Sequence, residues 1–178
     1  MRYVALLRGI NLGGHKMVAM AELRAVLTTM GFTDVATLLQ SGNAVFTAKK
    51  TAPAKLEGLI EQEIETRFKM QVDIHVRDAG ELAAVMTSNP FRKEAESAPS
   101  QFLVTFYREP VDQALVKSLQ AAISGPEKVR CVGRHLYMTF PDGIGNSKAS
   151  LLIDKTLRAK GTARNWNTVT KIAALMEG

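Results

Sequence analysis

Two short polar clusters carry residue types that could hold a ligand. Arg8-Gly9-Ile10-Asn11-Leu12-Gly13-Gly14 offers a guanidinium, a carboxamide and three glycines. Gln40-Ser41-Gly42-Asn43 adds two carboxamides and a hydroxyl. The first cluster follows an apolar run and precedes a helical pattern, a setting whose backbone N–H groups and helix dipole favour an anion. Its spacing is not G-x-G-x-x-G, so the dinucleotide fingerprint is absent. The competing account is a turn whose glycines supply positive φ and whose Asn11 bonds its own backbone. Gly42-Asn43 also fits a two-residue hairpin in which Asn43 tolerates left-handed φ. Gln40 is not needed by such a turn and is the more informative residue.

Two later stretches bear the same question. Gly143-Ile144-Gly145-Asn146-Ser147-Lys148 precedes a helical pattern but lacks the phosphate-loop spacing. Ser147 or Asn146 is expected to cap that helix. Arg164-Asn165-Trp166-Asn167 contains the one tryptophan of the chain. Trp166 is expected in the core with its N–H bonded, and Asn167 could cap the last helix. Arg164 and Asn165 have no such structural account.

Other chemistries find no residues. His15, His75 and His135 show no ligand spacing, and Cys131 is the single cysteine, so neither a metal site nor a disulfide is expected. There is no G-x-S-x-G. Glu61, Glu63 and Glu65 read as a solvated helix face. No motif names a catalytic residue or a cofactor, and the oligomeric state is not legible.

The elements that would position these clusters follow from periodicity. Residues 3–7 form a continuous apolar run, a strand buried on both faces. Residues 18–30 place Met20, Leu23, Leu27 and Met30 on one helical face, with Gly31 at a left-handed C-cap. Residues 35–40 and 44–48 read as a hairpin around Gly42-Asn43. A second helix opens near Pro53 and carries Leu56, Leu59, Ile60, Ile64 and Phe68, with Leu27 and Phe68 expected in the core. Residues 72–77 alternate as a strand. Residues 1–77 thus spell βαββαβ, the ferredoxin-like order. Residues 78–100 read as a short helix and a polar linker. Residues 101–178 repeat the order and add a C-terminal helix. In that half, the helix over 112–123 is expected to bury Leu115, Leu119, Ala122 and Ile123, and a helix is expected over 147–160. The predicted fold is α+β, two tandem ferredoxin-like units. A helix crossover joins parallel strands and a hairpin reverses direction. The Arg8–Gly14 turn, the Gln40–Asn43 turn and residues 69–71 therefore share one end of the first sheet. The same count puts Arg134 and the approach to Arg164 together in the second.

Composition bounds the rest. Residues 1–89 carry 10 Lys/Arg against 9 Asp/Glu, and residues 90–178 carry 13 against 8, so most of the net charge of +6 sits in the second half. Any anion-binding surface is expected there, with Lys148, Arg158 and Arg164. No apolar run approaches the ~18 residues a membrane helix needs. The N-terminal run stops at Arg8, too soon for a signal peptide. The expectation is a cytoplasmic, soluble chain with no membrane partner.

Several motifs together resemble one family. Tyr3-Val4-Ala5-Leu6-Leu7-Arg8-Gly9-Ile10-Asn11-Leu12-Gly13-Gly14, Met20 with Leu23, and Gln40-Ser41-Gly42-Asn43 with Phe46 are similar to the family called domain of unknown function 1697. Arg164-Asn165-Trp166-Asn167-Thr168-Val169 resembles its late signature, and Ser147-Lys148 falls where it has a Ser-Lys pair. Ala163 departs from it, standing where the family has threonine. The resemblance implies an α+β fold with ferredoxin-like halves and no chemistry.

Three functions compete. The first is a binding module for a small anionic or nucleotide-like ligand. It would be lined by Arg8, Asn11, Gln40 and Asn43, with Lys148, Arg164 and Asn165 as further contacts, the last two closing the site from the second half. The second is an RNA-binding protein, since RRM modules share the order, although residues 43–46 lack paired aromatics. The third is an enzyme acting electrostatically through Arg8, Lys16 or Arg164.

Overall fold

The computed structural model describes residues 1–14 and 17–178. His15 and Lys16, both weighed above, lie outside the described residues. The chain is mixed α+β, with two four-stranded antiparallel sheets and, among the described residues, seven α-helices. It divides into two compact units, Met1–Ala84 with Lys171–Gly178, and Val85–Thr170. The expected boundaries at 77 and 101 are displaced. The observed division falls inside helices α3 (Ala79–Thr87) and α7 (Trp166–Glu177).

The first unit runs β1 (Arg2–Leu7), α1 (Met20–Thr29), β2 (Thr33–Leu38), β3 (Asn43–Thr47), α2 (Pro53–Phe68), β4 (Ile74–Asp78). Its sheet order is β2-β3-β1-β4, every neighbouring pair antiparallel. The continuous apolar run earns β1 an interior place, and Tyr3 to Leu7 are at most 1% exposed. Tyr3, Ala5, Leu7, Phe46 and Val76 pack with Leu23, Leu27, Leu56, Ile60 and Ile64 in one core. Each fully buried Leu or Ile there contributes about 1.5–3 kcal/mol of burial free energy. Phe68 packs at the margin of this core, only partly buried. Gly31 has φ +84°, the left-handed helix end its position predicts.

Helix α2 corrects the sequence reading. Leu59 is 43% exposed, while Glu57 is 3% exposed. Strand β4 is a sheet edge, and its outward N–H groups need partners. Glu57 Oε1 accepts from Val76 N at 2.9 Å and Glu61 Oε1 from Ile74 N at 2.8 Å. Four residues of helix rise about 6 Å and two of strand about 6.7 Å, so the two carboxylates match alternate amides. Glu61 is therefore a bonded residue rather than part of a solvated face. Arg77 is wholly buried, with Nη1 4.0 Å from Glu57 Oε1 and donating to Val76 O at 2.8 Å.

The second unit holds α4 (Arg92–Ser97), β5 (Phe102–Phe106), α5 (Gln113–Ala122), β6 (Val129–Val132), β7 (His135–Thr139), α6 (Ala149–Leu157) and β8 (Thr162–Asn165). Its sheet order is β6-β7-β5-β8, again antiparallel throughout. The polar stretch expected as a linker is helical at Arg92–Ser97, because Ala95 is fully buried there and Phe91 meets the Phe102 ring edge-on. Helix α5 buries Leu119 as expected and Ile123 packs against the same core, while Leu115 is 38% exposed, Ala122 is exposed, and Val116 takes an inward place instead. Helix α6 is also shorter than the expected 147–160. No helix among the described residues is long and apolar enough to cross a membrane.

Candidate functional site

The two polar clusters of the first unit meet at one end of its sheet. Where β1 ends, Leu7 N donates to Gly42 O and Arg8 N to Asp73 O, each at 2.9 Å. The glycine turn, the β2–β3 turn and the approach to β4 therefore share that end, as the strand directions require.

Asn11 is the joint between them. It sits at φ +54°, in the left-handed region that Asn tolerates. Its Nδ2 donates to Val18 O at 2.9 Å and to Gln40 O at 2.7 Å. Its Oδ1 accepts from Val18 N at 2.8 Å. The carboxamide thus ties the glycine turn both to the chain entering α1 and to the neighbouring hairpin. Both of its N–H donors and one acceptor position are taken up by structure, which makes it first of all a strut.

The hairpin differs from the expected two-residue turn. Leu38 pairs with Asn43, leaving a four-residue loop of Leu39, Gln40, Ser41 and Gly42. Asn43 is the first residue of β3, fully buried, and its Nδ2 donates to Leu38 O at 2.8 Å and Ser41 Oγ at 3.2 Å. The left-handed positions are Leu39 at φ +59° and Gly42 at φ +75°. A β-carbon on Gly42 would stand 2.6 Å from Ile10 Cδ1 and 2.8 Å from Leu7 Cβ. Ile10 is buried beneath the hairpin, so glycine is required by both backbone and space.

Arg8 and Gln40 remain at the surface. The Arg8 side chain is 39% exposed and its Nη1 lies 3.5 Å from Asp73 Oδ2. Gln40 and Ser41 are exposed. In the same two loops Leu12 is 65% and Leu39 50% exposed, and Met17, ahead of α1, is 61% exposed.

The candidates of the second unit take other roles. Phe106 pairs with Thr162, and Tyr107 N donates to Arg134 O at 3.0 Å, so the Arg134 turn and the start of β8 share one sheet end. Arg164 lies two residues further in and is 8% exposed. Its Nη1 donates to Thr162 Oγ1 at 2.7 Å and Ala163 O at 2.8 Å, and burial pushes its guanidinium down to about 10. Asn165, not Asn167, caps α7: its Oδ1 accepts from Thr168 N and Thr168 Oγ1, both at 2.9 Å. Trp166 is buried edge-on against Phe102, ring centroids 5.6 Å apart. Lys148 is exposed in a 220 Å³ cleft before α6. Within it Ser147 Oγ donates to Glu127 Oε1 and accepts from Ala149 N, which serves the first turn of α6 as a cap would. Arg158 is the left-handed C-cap of α6.

Sequence reasoning missed Glu57, Glu61 and Glu127. The first two carry a usable signal, since carboxylates four apart on a helix can reach alternate amides of an edge strand. Glu127 carries none, because its partner is 20 residues away.

Fold and site define a two-unit α+β protein whose polar loops are braced into one sheet end. Residues 1–137 match the family described as protein of unknown function DUF1697, and the chain belongs to that family. The chain is also similar to the structure of conserved bacterial protein SP0830 from Streptococcus pneumoniae, with 26% identity, a TM-score of 0.71 and 98% of each chain covered. No curated protein matches the chain.

Proposed function

We propose that this protein is a cytoplasmic binding module for a small anionic, nucleotide-like ligand, seated on the loop edge of the first unit. We take each unit to be a ferredoxin-like βαββαβ fold, a reading supported by the shared placement of the strands. In both sheets the order is second, third, first, fourth strand.

One observation carries the binding reading. Of eight large hydrophobics exposed among the described residues, Leu12, Met17 and Leu39 lie on the two loops next to Arg8. Apolar side chains held in water by a braced backbone, beside a guanidinium and the Gln40 carboxamide, suit a ligand with an anionic group and a flat apolar body. Asn11 and Asn43 act here as struts, and the contacts are Arg8, Gln40, Ser41, Leu12 and Leu39. The RNA reading draws less support. RRM modules bind on the sheet face away from the helices. In the first unit Val4, Leu6 and Val45 alternate with the helix-side residues of β1 and β3, and all three are at most 1% exposed. The electrostatic-enzyme reading gains nothing from Arg164, whose guanidinium is buried among its own strand's groups.

The test is amide-resolved titration of the labelled protein with AMP, adenosine and inorganic phosphate. AMP should move Leu12, Gly13 and residues 39–42, and Arg8→Ala should weaken it about tenfold. Equal response to all three probes, or none at millimolar AMP, sinks the reading. An oligoribonucleotide that binds with a steep salt dependence would favour the RNA alternative.

A further inference from the structure

The second unit holds a concavity that the loop-edge reading does not use. A groove of 380 Å³ runs between α5 and the edge strand β6, lined by Gln113, Val116, Lys117, Gln120, Val129 and Arg130. Val116 and Val129 are 4% and 0% exposed, and they make an apolar floor. Gln113 and Gln120 are engaged with the strand. Gln113 Nε2 donates to Cys131 O at 3.3 Å, and Gln120 accepts from Val129 N at 2.7 Å and donates to Glu127 O at 3.2 Å. They seal this edge as Glu57 and Glu61 seal β4, but with neutral amides.

Charge is what the groove has left over. Lys117, on the helix wall, makes no hydrogen bond or ion pair among the described residues. Arg130, on the strand wall, uses one donor on Val129 O at 2.8 Å and pairs with no carboxylate among the described residues. No acidic side chain lines the groove. The carboxylate of Asp112, the residue before α5, is engaged as the helix cap, accepting from Ala114 N at 2.7 Å.

We propose that this groove binds a small organic carboxylate with a compact apolar body, the body on Val116 and Val129 and the carboxylate between Lys117 and Arg130. A planar guanidinium matches the two oxygens of a carboxylate, and the lysine supplies a second point charge. A phosphate suits the groove less well. Its further oxygens call for backbone N–H donors, and of the two strand residues lining the groove, Val129 has its outward amide already held by Gln120. A volume of 380 Å³ is at the lower end of small-molecule sites, which fits a single ring or a branched chain.

The probes are benzoate, benzamide and inorganic phosphate, titrated into the full-length labelled protein. Benzoate should bind at about millimolar affinity for so small a ligand, moving the amides of Val116, Lys117, Gln120, Val129 and Arg130. Benzamide, isosteric and neutral, should bind about tenfold more weakly, and Lys117→Gln should weaken benzoate about three- to tenfold. Arg130→Gln should do the same. If its urea midpoint falls through loss of the Val129 bond, Lys117→Gln alone decides. Equal affinity for benzoate and benzamide overturns the proposal, because the charge is then unused. Phosphate moving the same amides as strongly overturns it in favour of a bare cationic patch. Benzoate shifts confined to other residues overturn the placement.

Discussion

Replacing Asn11 separates the backbone role of that residue from its hydrogen bonds. The side chain makes three bonds, to Val18 O, Gln40 O and Val18 N. At about 0.5–1.5 kcal/mol net each, their loss is worth about 1.5–4.5 kcal/mol. Partial exposure lets water re-satisfy some of these groups, which favours the lower half of that range. The φ of +54° adds a second term for any residue but Asn, Asp or Gly, about 1 kcal/mol for alanine. Asn11→Ala should therefore cost about 2.5–4 kcal/mol. Asn11→Gly should recover about 1 kcal/mol of that, since it removes only the φ penalty. Asn11→Asp keeps the acceptor for Val18 N but turns carboxylate oxygens toward two carbonyls, so it should be at least as damaging as alanine. Urea unfolding followed by far-ultraviolet circular dichroism gives the ranking Asn, Gly, then Ala and Asp. Amide exchange at Val18 should accelerate most in the glycine and alanine variants, which lose its acceptor. If alanine and aspartate both lie within 0.5 kcal/mol of the parent, about the spread of ordinary surface changes, Asn11 is not the joint described here.

Two further substitutions test other parts of the structure. Glu57→Ala removes the carboxylate beside the buried Arg77 and uncovers Val76 N, and should cost about 3–5 kcal/mol, whereas Glu61→Ala at a wetter position should cost about 0.5–1.5. Equal urea midpoints for the two variants would show that Arg77 does not depend on Glu57. Tyr137 Oη donates to Val85 O at 3.0 Å, and burial pushes its pKa up to about 12 from 10. Below pH 10 both folded and unfolded states keep the proton; between 10 and 12 the unfolded state loses it first, so this contribution fades as pH rises. Tyr137→Phe should cost about 1–3 kcal/mol at pH 7, and the gap should close by up to about 3 kcal/mol toward pH 12. A gap that stays constant from pH 7 to pH 11 refutes the assignment.

The architecture was legible because apolar period and turn residues agree over long stretches. The run at residues 3–7, the stripe Leu23 and Leu27, and Gly31 after it each admit one element. The relative directions of the strands then follow from counting crossovers and hairpins, and the antiparallel pairing of β1 with β3 and β4 agrees with them. What failed were choices between adjacent residues. Leu115 and Val116 are both apolar, and the helical phase of α5 depends on which one meets β6 and α6, a tertiary fact. Leu59 looked like core for the same reason, although Glu57 takes an inward place that its charge argues against. The edge of β4 explains that reversal, since its amides need acceptors that leucine cannot supply. Residues 92–97 read as linker because they are polar on five sides of one buried alanine.

The polar clusters raise a different difficulty. Glycine and asparagine beside a helix start are the residues of an anion site, and equally those of a tight turn. Type and spacing do not separate the two; unused bonding capacity does. Asn11, Asn43 and Asn165 each direct the carboxamide at backbone groups within the same unit. Gln40 is the contrary case. Its backbone carbonyl accepts from Asn11 while its side chain is exposed. The same criterion, applied to charge, selects Lys117 and Arg130 over Arg164. A buried guanidinium bonded to its own strand is held by the fold, whereas two surface cations over an apolar floor still have their charge to offer a ligand. On the proposed readings, Gln40 in the first unit and Lys117 in the second are therefore the residues to mutate first.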